Sequence, residues 1–504
     1  MRVLLVRPVS PNERFGLGPF FRVEPLGLEY LGADLMRRGH QVELVDARFS
    51  APLRRLLQRF RPQAVGISCT HAVDIPAVLE AAARVKAFDP AVLTVVGGHS
   101  ASVFPQPFEH SSIDGVCTAD GELAMGQLLD VVERGGFPQD VPGWLWPSTE
   151  SAALRRRAAH LSAARNATVG ARGVLDEDPE DPFERVPLPA RELVHRFRRH
   201  YVCVHKQPVW ALETARGCPY RCNFCSTWRR HGRAFRYRSV ETVCQDLSNA
   251  GPNVFVVDDL FFYPPGRSLE LARELRRRGI RKEWLLVQSR LDTVARHPEV
   301  LEAWRPLARD FDIFFGFEAA ANDILASLDK DLTLDATEEG VKVARALRFG
   351  VTGNFVVDPD WGEEEFQEMW TMVDRLRLER LGYTILTPLP GTRLYEDMLP
   401  RLLDRDYSHY DMHHILFEPK LGRQRFFELF VESWRRNVLS ARHSGRKWWR
   451  WLGGLGPMQL LTLVRILIRT QRQLDVGMYL EESFPLQLPA LPLGRSERGR
   501  EAAE

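Results

Sequence analysis

The stretch ARGCPYRCNFCSTW, residues 215–228, carries three cysteines in the spacing C-x3-C-x2-C. These are Cys218, Cys222 and Cys225. Iron–sulfur clusters are held by cysteine thiolates, so three thiolates on a cube of four irons leave one iron open. An open coordination position separates a catalytic metal centre from a structural one. The stretch therefore predicts a catalytic [4Fe–4S] cluster.

The chain around these cysteines alternates between short apolar runs and helical patterns. Six runs read as strands: 210–216, 253–259, 284–289, 312–318, 351–357 and 381–387. Helical patterns fall between them, which makes about six β/α units. This pattern predicts an incomplete parallel barrel, with its chemistry at the carboxyl ends of the strands.

The first 145 residues show a second alternation of the same kind. Strands are predicted at 2–8, 41–47, 64–69, 93–99 and 114–118, and helices at 25–40, 75–88 and 121–136. Continuous apolar strands alternating with helices favour an α/β doubly wound, Rossmann-like sheet. Such a sheet binds ligands at the carboxyl ends of its strands.

Composition shifts predict where the domains end. We expect a doubly wound domain over 1–145, a partly disordered linker over 146–198 and the barrel over 199–400. Residues 401–489 read as a helical, basic region and 490–504 as a tail.

Bulk properties exclude several classes of protein. The net charge of +2 over 504 residues gives no electrostatic support for a nucleic-acid partner. Seven cysteines, an odd number with one metal-like cluster, argue against a disulfide framework. The apolar run before Pro8 is too short for a signal peptide, and no stretch has the roughly 18 apolar residues of a spanning helix. These features predict a cytoplasmic protein.

The cysteine loop resembles that of the radical S-adenosylmethionine superfamily, and Phe224 fills its aromatic position before the last cysteine. The resemblance implies that the open iron binds the amino and carboxylate groups of S-adenosylmethionine. It further implies that one electron, from a donor such as flavodoxin or ferredoxin, cleaves the sulfonium to release a 5′-deoxyadenosyl radical. Five strand-end residues match cofactor-contact positions of the superfamily more loosely: Asp258, Asp259, Gln288, Arg290 and Glu318. Of these, Arg290 could pair with the methionyl carboxylate.

A structural zinc site is the alternative for the same cysteines. Zinc takes four ligands, and Cys203 or His231 could supply the fourth. The six β/α units favour the radical barrel, because that superfamily needs them.

A doubly wound domain before a radical barrel resembles the cobalamin-binding subfamily. Its GG-x-H-x-[ST] stretch appears imperfectly as GGHSAS, where Ser100 stands in the histidine position and His99 lies one place earlier. Cobalamin contacts are therefore expected from six residues of two strand ends: Ser68, Thr70, Gly97, Gly98, His99 and Ser100. Gly121 and Glu122 resemble part of a further turn of that subfamily.

The D-x-H-x-x-G motif that donates an axial histidine in other cobalamin proteins is absent from the first 145 residues. The subfamily generally lacks that motif as well, so the resemblance implies cobalamin without an axial histidine from the protein. A vestigial domain that only supports the barrel is the alternative.

The resemblance extends to the hopanoid C-3 methylases, from EPLGLEYL at residue 24 to RDYSHYDMHH at residue 405. It implies a radical methyltransferase that uses methylcobalamin to methylate an unactivated carbon of a polycyclic lipid. One alternative is a cobalamin-linked oxidative cyclase acting on a tetrapyrrole. Another is an electron-transfer or scaffold protein without catalysis.

The segment RKWWRW, residues 446–451, joins cations to tryptophans, a composition typical of interfacial helices. A lipid substrate and this segment together predict peripheral contact with the cytoplasmic face of a membrane. A helical cap with buried tryptophans is the alternative.

Overall fold

The structure is a computed structural model. It describes residues 1–9, 18–136, 138–146, 183–231, 234–439, 460–461, 464–465, 468 and 474–483. Two six-stranded sheets, each joined by helices, form its frame.

The first sheet has the strand order β3-β1-β4-β5-β6-β7. All its pairs are parallel except β6 with β7. Its strands are β1 (Arg2–Arg7), β3 (Gln41–Asp46), β4 (Ala64–Ser68), β5 (Leu93–Gly97), β6 (Gly115–Cys117) and β7 (Trp144–Leu145); the short β2 (Phe21–Arg22) lies outside it.

Helices cover both faces of this sheet, which we call the front domain. They are α1 (Leu26–Arg37), α2 (Leu53–Phe60), α3 (Ile75–Phe88), α4 (His99–Val103) and α5 (Gly121–Glu133). Alternate residues of β1 enter different cores: Leu4 and Val6 pack with α2 and α3, whereas Val3 and Leu5 pack with α1 and α5. The period of two along a strand thus builds the doubly wound sandwich.

The second sheet, which we call the barrel, has the order β16-β15-β14-β13-β12-β9, and all its pairs are parallel. Its strands are β9 (Trp210–Leu212), β12 (Asn253–Val256), β13 (Lys282–Ser289), β14 (Ala308–Glu318), β15 (Gly350–Val357) and β16 (Leu381–Ile385). Three short strands lie outside it: β8 (Val202–Cys203), which pairs with β2, and β10 (Ala215–Arg216) and β11 (Arg236–Tyr237), which pair with each other.

Helices follow the barrel strands along the chain. They are α6 (Thr227–His231), α7 (Val240–Asn249), α8 (Pro265–Arg277), α9 (Leu291–Arg296), α10 (Pro298–Trp304), α11 (Asn322–Ser327), α12 (Leu334–Ala346), α13 (Glu363–Arg375) and α14 (Arg393–Met398). Beyond residue 400, α15 (Arg423–Leu439) and α16 (Val476–Glu481) pack against the barrel core through Phe426, Phe430 and Tyr479.

The fold class predicted from the sequence is confirmed. Each of the five predicted front strands and six barrel strands has a counterpart whose ends differ by a few residues. The strand β7 was not predicted, because two residues carry too little pattern to be recognised.

The segment 183–198, which the sequence assigned to a linker, packs against the front domain. A 3-10 helix covers Arg191–His200, and its Val194 and Phe197 enter the core beside α1 and α5. The segment is polar overall, so its composition did not predict that these two apolar residues would be buried. Residues 147–182, the rest of the predicted linker, lie outside the described residues, and the predicted domain boundaries stay predictions.

The segment after α14 also packs against the front domain. Leu402, Tyr410, Leu416 and Phe417 are buried in the core formed by α2 and α3. The chain therefore returns to its first domain after completing the barrel.

The predicted membrane segment 446–451 and the tail 490–504 lie outside the described residues. Within the described part of the chain, no helix is long and apolar enough to cross a membrane.

We expect Leu416→Ala to destabilise the protein by about 3 kcal/mol, because truncating a fully buried leucine leaves a cavity. Urea unfolding of the metal-free protein, followed by tryptophan fluorescence, measures the change. Leu399→Ala is the matched control: this leucine is 37% exposed, and we expect a change within about 0.5 kcal/mol. Equal effects of the two substitutions would contradict the packing of this segment on the front domain.

Candidate cofactor site between the two sheets

The cysteine loop leaves β10 through a residue that must be glycine. Gly217 has φ +95°, and a Cβ there would lie 2.2 Å from the carbonyl oxygen of Ala234. Only glycine adopts this conformation without strain. The loop is then fixed by Asn223, which donates from its backbone N–H to the carbonyl of Leu328 (3.1 Å) and from its side chain to that of Ser327 (2.8 Å).

The three cysteines are free thiols on one short loop. Burial raises the pKa of Cys218 to about 12, with the two neighbouring thiols adding to the shift. Burial also raises the pKa of Cys222 and Cys225. Metal binding is what would hold such thiols as thiolates. The donor set fits a [4Fe–4S] cluster, in which each cysteine binds a different iron.

Among the described residues, no three His, Cys, Asp or Glu side chains converge on a position for one metal ion. Cys203, which the zinc alternative invoked, instead pairs its backbone with Lys206 and lies in a separate apolar cluster with Trp284.

Glu318 and Lys330 form a buried ion pair beside the cysteine loop. Their Oε1 and Nζ atoms are 2.5 Å apart, and the two residues are 7% and 6% exposed. The charges of Lys330 and Glu318 both act on the pKa of Cys222. Glu318 was a predicted site residue; Lys330 was missed, because it lies between strands and belongs to no motif. Its distinguishing feature is burial, which the sequence does not show.

The guanidinium of Arg290 makes hydrogen bonds to neighbouring groups of the protein. Its Nε donates to Asp292 (2.9 Å) and its Nη2 to the carbonyls of Lys330 (2.8 Å) and Asp331 (2.6 Å). Its guanidinium stacks on Tyr220 of the cysteine loop, 3.6 Å from the ring centre. The side chain therefore clamps the loop, and the predicted pairing with a methionyl carboxylate stays a prediction.

The paired aspartates at the end of β12 have different surroundings. Asp258 is 1% exposed and accepts hydrogen bonds from the backbone N–H (2.6 Å) and hydroxyl (2.5 Å) of Thr214; burial raises its pKa to about 7. Asp259 lines the cavity described below, accepts from the hydroxyl of Thr227 (3.2 Å) and has a pKa raised by burial to about 6. Gln288 donates to the carbonyl of Asp258 (3.4 Å). Of the two aspartates, Asp259 therefore faces the cavity, whereas Asp258 is not part of its lining.

A cavity of about 430 Å³ lies between the carboxyl ends of the two sheets. It brings together residues that are far apart in the sequence. The front domain contributes Ser68, Thr70, His71, Gly97, Gly98, His99, Gly121 and Glu122, and the barrel contributes Glu213, Arg216, Thr227, Arg230, His231 and Asp259. Most of the predicted cobalamin contacts therefore line one cavity; Ser100 is buried outside its lining.

Gly98, which lines this cavity, lets the end of β5 pack closely against the end of β4. Its φ is +105°, and a Cβ would lie 2.6 Å from the carbonyl oxygen of Cys69. Next to it, the Nε2 atom of His99 lies 2.6 Å from the hydroxyl oxygen of Ser226, one residue beyond Cys225. The two halves of the cavity are therefore joined by a direct hydrogen bond. Phe224 is partly buried in the same loop.

A charged junction closes one side of the cavity. Asp120, at the start of α5, contacts Arg230 (3.0 Å), Arg236 (2.7 Å) and Arg216 (3.5 Å). These arginines hold the pKa of its carboxyl well below its usual range. Arg216 also pairs with Glu122 (2.6 Å) of the front domain. The junction ties the front domain to both ends of the cysteine loop.

Comparisons with known proteins agree with this arrangement. Residues 19–129 match the B12 binding domain family, and residues 212–373 match the Radical SAM superfamily. The chain is 32% identical over 445 residues to the hopanoid C-3 methylase of Methylococcus capsulatus, covering 87% of this chain and 80% of that protein.

Two solved structures share the fold. The cobalamin-dependent S-adenosylmethionine radical enzyme OxsB superposes with a TM-score of 0.65 at 17% identity, covering 86% of this chain and 66% of that one. The radical S-adenosylmethionine methyltransferase TsrM from Kitasatospora setae superposes with a TM-score of 0.59 at 18% identity, covering 79% and 75%.

The chain belongs to the cobalamin-binding radical S-adenosylmethionine methyltransferases, the family that includes this hopanoid methylase. Its cofactors are a [4Fe–4S] cluster, S-adenosylmethionine and cobalamin.

The buried imidazole of His99, which is hydrogen-bonded to Ser226, should make the free energy of unfolding depend on pH. Burial lowers the pKa of His99 to about 3, so the folded protein resists a proton that the unfolded chain accepts near pH 6.5. Its contribution to stability is complete above pH 6.5 and falls by about 1.4 kcal/mol per pH unit below it. We expect His99→Gln to remove about 1 kcal/mol of the loss of unfolding free energy between pH 7.5 and 5.5.

Urea unfolding of the cofactor-free protein at both pH values measures this difference. His110→Gln, at an exposed histidine of the same domain, is the control and should leave the pH dependence unchanged. The prediction is wrong if both variants lose stability in parallel with the unaltered protein.

Proposed function

We propose that this methyltransferase adds a methyl group to an unactivated carbon of a polycyclic lipid, with a hopanoid-type triterpenoid as substrate. The observation that carries the proposal is the similarity to the hopanoid C-3 methylase over most of both chains. From this similarity we infer that this chain acts on the same class of substrate as that protein.

The chemistry requires both cofactors at one place. A C–H bond of saturated carbon has no acidic proton, so general acid–base groups of a protein cannot break it. When bound, the cluster with S-adenosylmethionine supplies a carbon radical that removes the hydrogen atom, and cobalamin supplies the methyl group. The protein must hold these reactants together and exclude water.

We assign Cys218, Cys222 and Cys225 to the cluster, since they are the three thiols of the fixed loop. The charges of Lys330 and Glu318 act on Cys222, and we propose that this ion pair contacts the polar end of S-adenosylmethionine. Arg290 holds the loop through Tyr220 and is a positioning residue. Asp259 and Glu213 present carboxylates to the cavity.

We assign the front face of the cavity to cobalamin. Gly97 and Gly98 line this face together with Ser68 and Thr70 at the end of β4. A Cβ at Gly98 would clash with the backbone of Cys69, so glycine is needed there for the ends of β4 and β5 to pack closely. The hydrogen bond between His99 and Ser226 and the Asp120 junction hold this face against the cysteine loop.

Access to a lipid is supported by the described residues near the C-terminus. Leu461, Val464 and Ile468 have helical backbone and are 43%, 50% and 53% exposed. The spacing of residues 461, 464 and 468 is that of one face of an α-helix, and Leu460 is exposed as well. We propose that this face rests on a membrane that holds the substrate, and that a flavodoxin or ferredoxin delivers the electron in the cytoplasm.

The catalytic proposal is tested by anaerobic reconstitution with iron, sulfide, cobalamin, S-adenosylmethionine and a bacterial triterpenoid extract. We expect 5′-deoxyadenosine, S-adenosylhomocysteine and a lipid heavier by one methylene unit, detected by mass spectrometry. Formation of 5′-deoxyadenosine without S-adenosylhomocysteine would overturn the methylation and favour an oxidative cyclase. Both products with an unchanged lipid pool would overturn the triterpenoid as substrate.

Cys222→Ala should abolish 5′-deoxyadenosine formation, with a loss of at least 100-fold, because the cluster loses a ligand. Cys244→Ala is the matched control. Cys244 is fully buried in α7, within the hydrophobic core of the barrel, and we expect its substitution to retain activity within about threefold. Equal losses of activity in the two variants would contradict the assignment of the cluster to the three-cysteine loop.

The membrane proposal predicts that Val464→Asp combined with Ile468→Asp weakens co-sedimentation with anionic phospholipid vesicles by at least tenfold. Burying each side chain contributes about 1.5–3 kcal/mol, and an aspartate removes this contribution. Leu403→Asp is the control, since Leu403 is 41% exposed in a different segment. Binding that is insensitive to the double substitution would contradict the proposal.

A further inference from the structure

We propose that the outer side of helix α2 belongs to a docking surface for an anionic membrane. The surface, which we call the arginine face, is formed by six exposed arginines on the front domain and on the segment that packs against it: Arg2, Arg54, Arg55, Arg59, Arg61 and Arg196. The inference rests on the proposed function in one respect, since a lipid substrate gives the enzyme a reason to meet a membrane. It involves no residue of the cofactor site.

The sequence of α2 divides this helix into an apolar side and a basic side. Leu56 and Leu57 are 5% and 1% exposed and enter the core that α2 shares with α3. Leu53 and Phe60 pack on the same core and complete the i, i+3, i+4, i+7 spacing of a buried helix face. The opposite side consists of the remaining residues of the helix, which are all exposed: Arg54, Arg55, Gln58 and Arg59.

Contacts from neighbouring elements extend this basic side. The carbonyl of Arg61, the residue that follows α2, accepts a hydrogen bond from the Nε atom of Arg2 (2.8 Å). At the edge of the sheet, Glu43 of β3 pairs with both Arg59 and Arg196 (3.2 Å to the latter). Arg196 belongs to the 3-10 helix that packs on β3. Arginines from three elements therefore lie on one side of the front domain.

Neighbouring acids do not neutralise the positive charge of the arginine face. Within the described part of the chain, Glu43 is the only carboxylate that forms an ion pair with any of the six arginines. Exposed arginines of other helices differ in this respect: Arg277 lies 2.6 Å from Glu274, and Arg425 lies 2.8 Å from Glu363. The whole chain has a net charge of only +2, so the arginine face concentrates positive charge.

The chemistry of this face fits the headgroups of an anionic bilayer. A guanidinium pairs with a phosphate through two parallel hydrogen bonds, and each arginine near an anionic bilayer strengthens binding about fivefold. Phe88, at the end of α3, is 36% exposed. Because α2 and α3 both follow parallel strands of one sheet, both helices end at its amino edge, where Arg61 lies as well. Cations near an exposed aromatic ring are typical of surfaces that lie among headgroups.

The elements behind the arginine face also contact the C-terminal part of the chain. Leu416 and Phe417 are buried in the core of α2 and α3. Just before them, the Nε2 atom of His414 lies 3.6 Å from the carboxylate of Glu482, the residue that follows α16. The exposed apolar residues 461, 464 and 468 precede α16 in the chain. One bilayer could therefore receive both this apolar helix face and the arginine face, and we infer that the arginines orient the enzyme on it.

Co-sedimentation of the reconstituted enzyme with phospholipid vesicles tests the surface. The measurement compares vesicles of phosphatidylcholine alone with vesicles that also contain phosphatidylglycerol. Arg54→Glu combined with Arg55→Glu should weaken binding to the anionic vesicles by at least about 20-fold and leave binding to the neutral vesicles unchanged. Neither arginine forms an ion pair within the described residues, and glutamate is favourable in the first turn of a helix, so this variant should remain folded.

Arg273→Glu combined with Arg276→Glu is the matched control. Both arginines are exposed on α8, neither forms an ion pair within the described ranges, and the change of charge is the same. We expect this variant to bind anionic vesicles within about threefold of the unaltered enzyme. Equal losses of binding in the two double variants would overturn the proposal, as would equal affinity of the unaltered enzyme for neutral and anionic vesicles.

Salt and a second polyanion provide further measurements. Raising the ionic strength from about 0.1 M to about 1 M shortens the Debye length from about 10 Å to about 3 Å. The unaltered enzyme should then bind anionic vesicles no better than neutral ones, and a preference that survives in high salt would overturn the electrostatic contact. Tighter binding to a single-stranded oligonucleotide than to the anionic vesicles would overturn the membrane as the partner.

The outcome is separable from that of the proposed function. Vesicle binding requires no turnover, so a failure to methylate triterpenoids leaves it unchanged. With the lipid extract offered in detergent, the Arg54→Glu and Arg55→Glu double variant should form methylated product within about twofold of the unaltered enzyme. A loss of detergent activity equal to the loss of vesicle binding would overturn the proposal, because these arginines would then act on the enzyme itself.

Discussion

The arrangement of the molecule depends on one carboxylate that two domains share. Asp120 begins a helix of the front domain, yet its partners are three arginines of the barrel: Arg216, Arg230 and Arg236. Arg216 stands before the cluster cysteines and Arg230 follows them. The junction therefore fixes the cysteine loop relative to the sheet edge that we assign to cobalamin. In the reaction that we propose, a radical formed at one cofactor and a methyl group held at the other must meet on a single carbon, which tolerates little relative motion.

Burying the charges of this junction would reduce the free energy of unfolding if they were not paired with opposite charges. Arg216 is 8% exposed and has carboxylates on several sides, including Glu122 and Glu213. Taking one partner away would leave a buried charge without compensation, whereas the complete set is self-consistent. A charged network also has directional contacts, so it specifies one relative orientation of the two sheets. An apolar interface of equal area would permit small shifts.

The features that could be predicted from the sequence are those that depend on local sequence patterns. Apolar runs identified both sheets, and the spacing of Cys218, Cys222 and Cys225 identified the cluster loop. The sequence could not show pairings made at long range. Nothing in the sequence distinguishes Lys330, whose importance shows only in its burial against Glu318. Likewise, no pattern associates Arg290 with the two backbone carbonyls to which its Nη2 atom donates. The packing of residues 402–417 on the front domain could not be predicted either, because the apolar residues that are buried there are scattered in a polar segment.

Backbone strain at Glu318 connects the barrel to its chemistry. This residue ends the strand β14 with φ +61°, a conformation that costs a non-glycine residue about 1–3 kcal/mol. The pairing between β14 and β15 shifts register at the same place, between Gly316 and Glu318. The carboxylate of Glu318 pairs with Lys330 at this position, and a Cβ on Gly316 would lie 2.1 Å from that carboxylate. A regular strand would avoid the strain, and it would admit a side chain at position 316 without displacing this carboxylate. Their presence beside Cys222 is therefore explained by the position of the ion pair and not by the stability of the sheet.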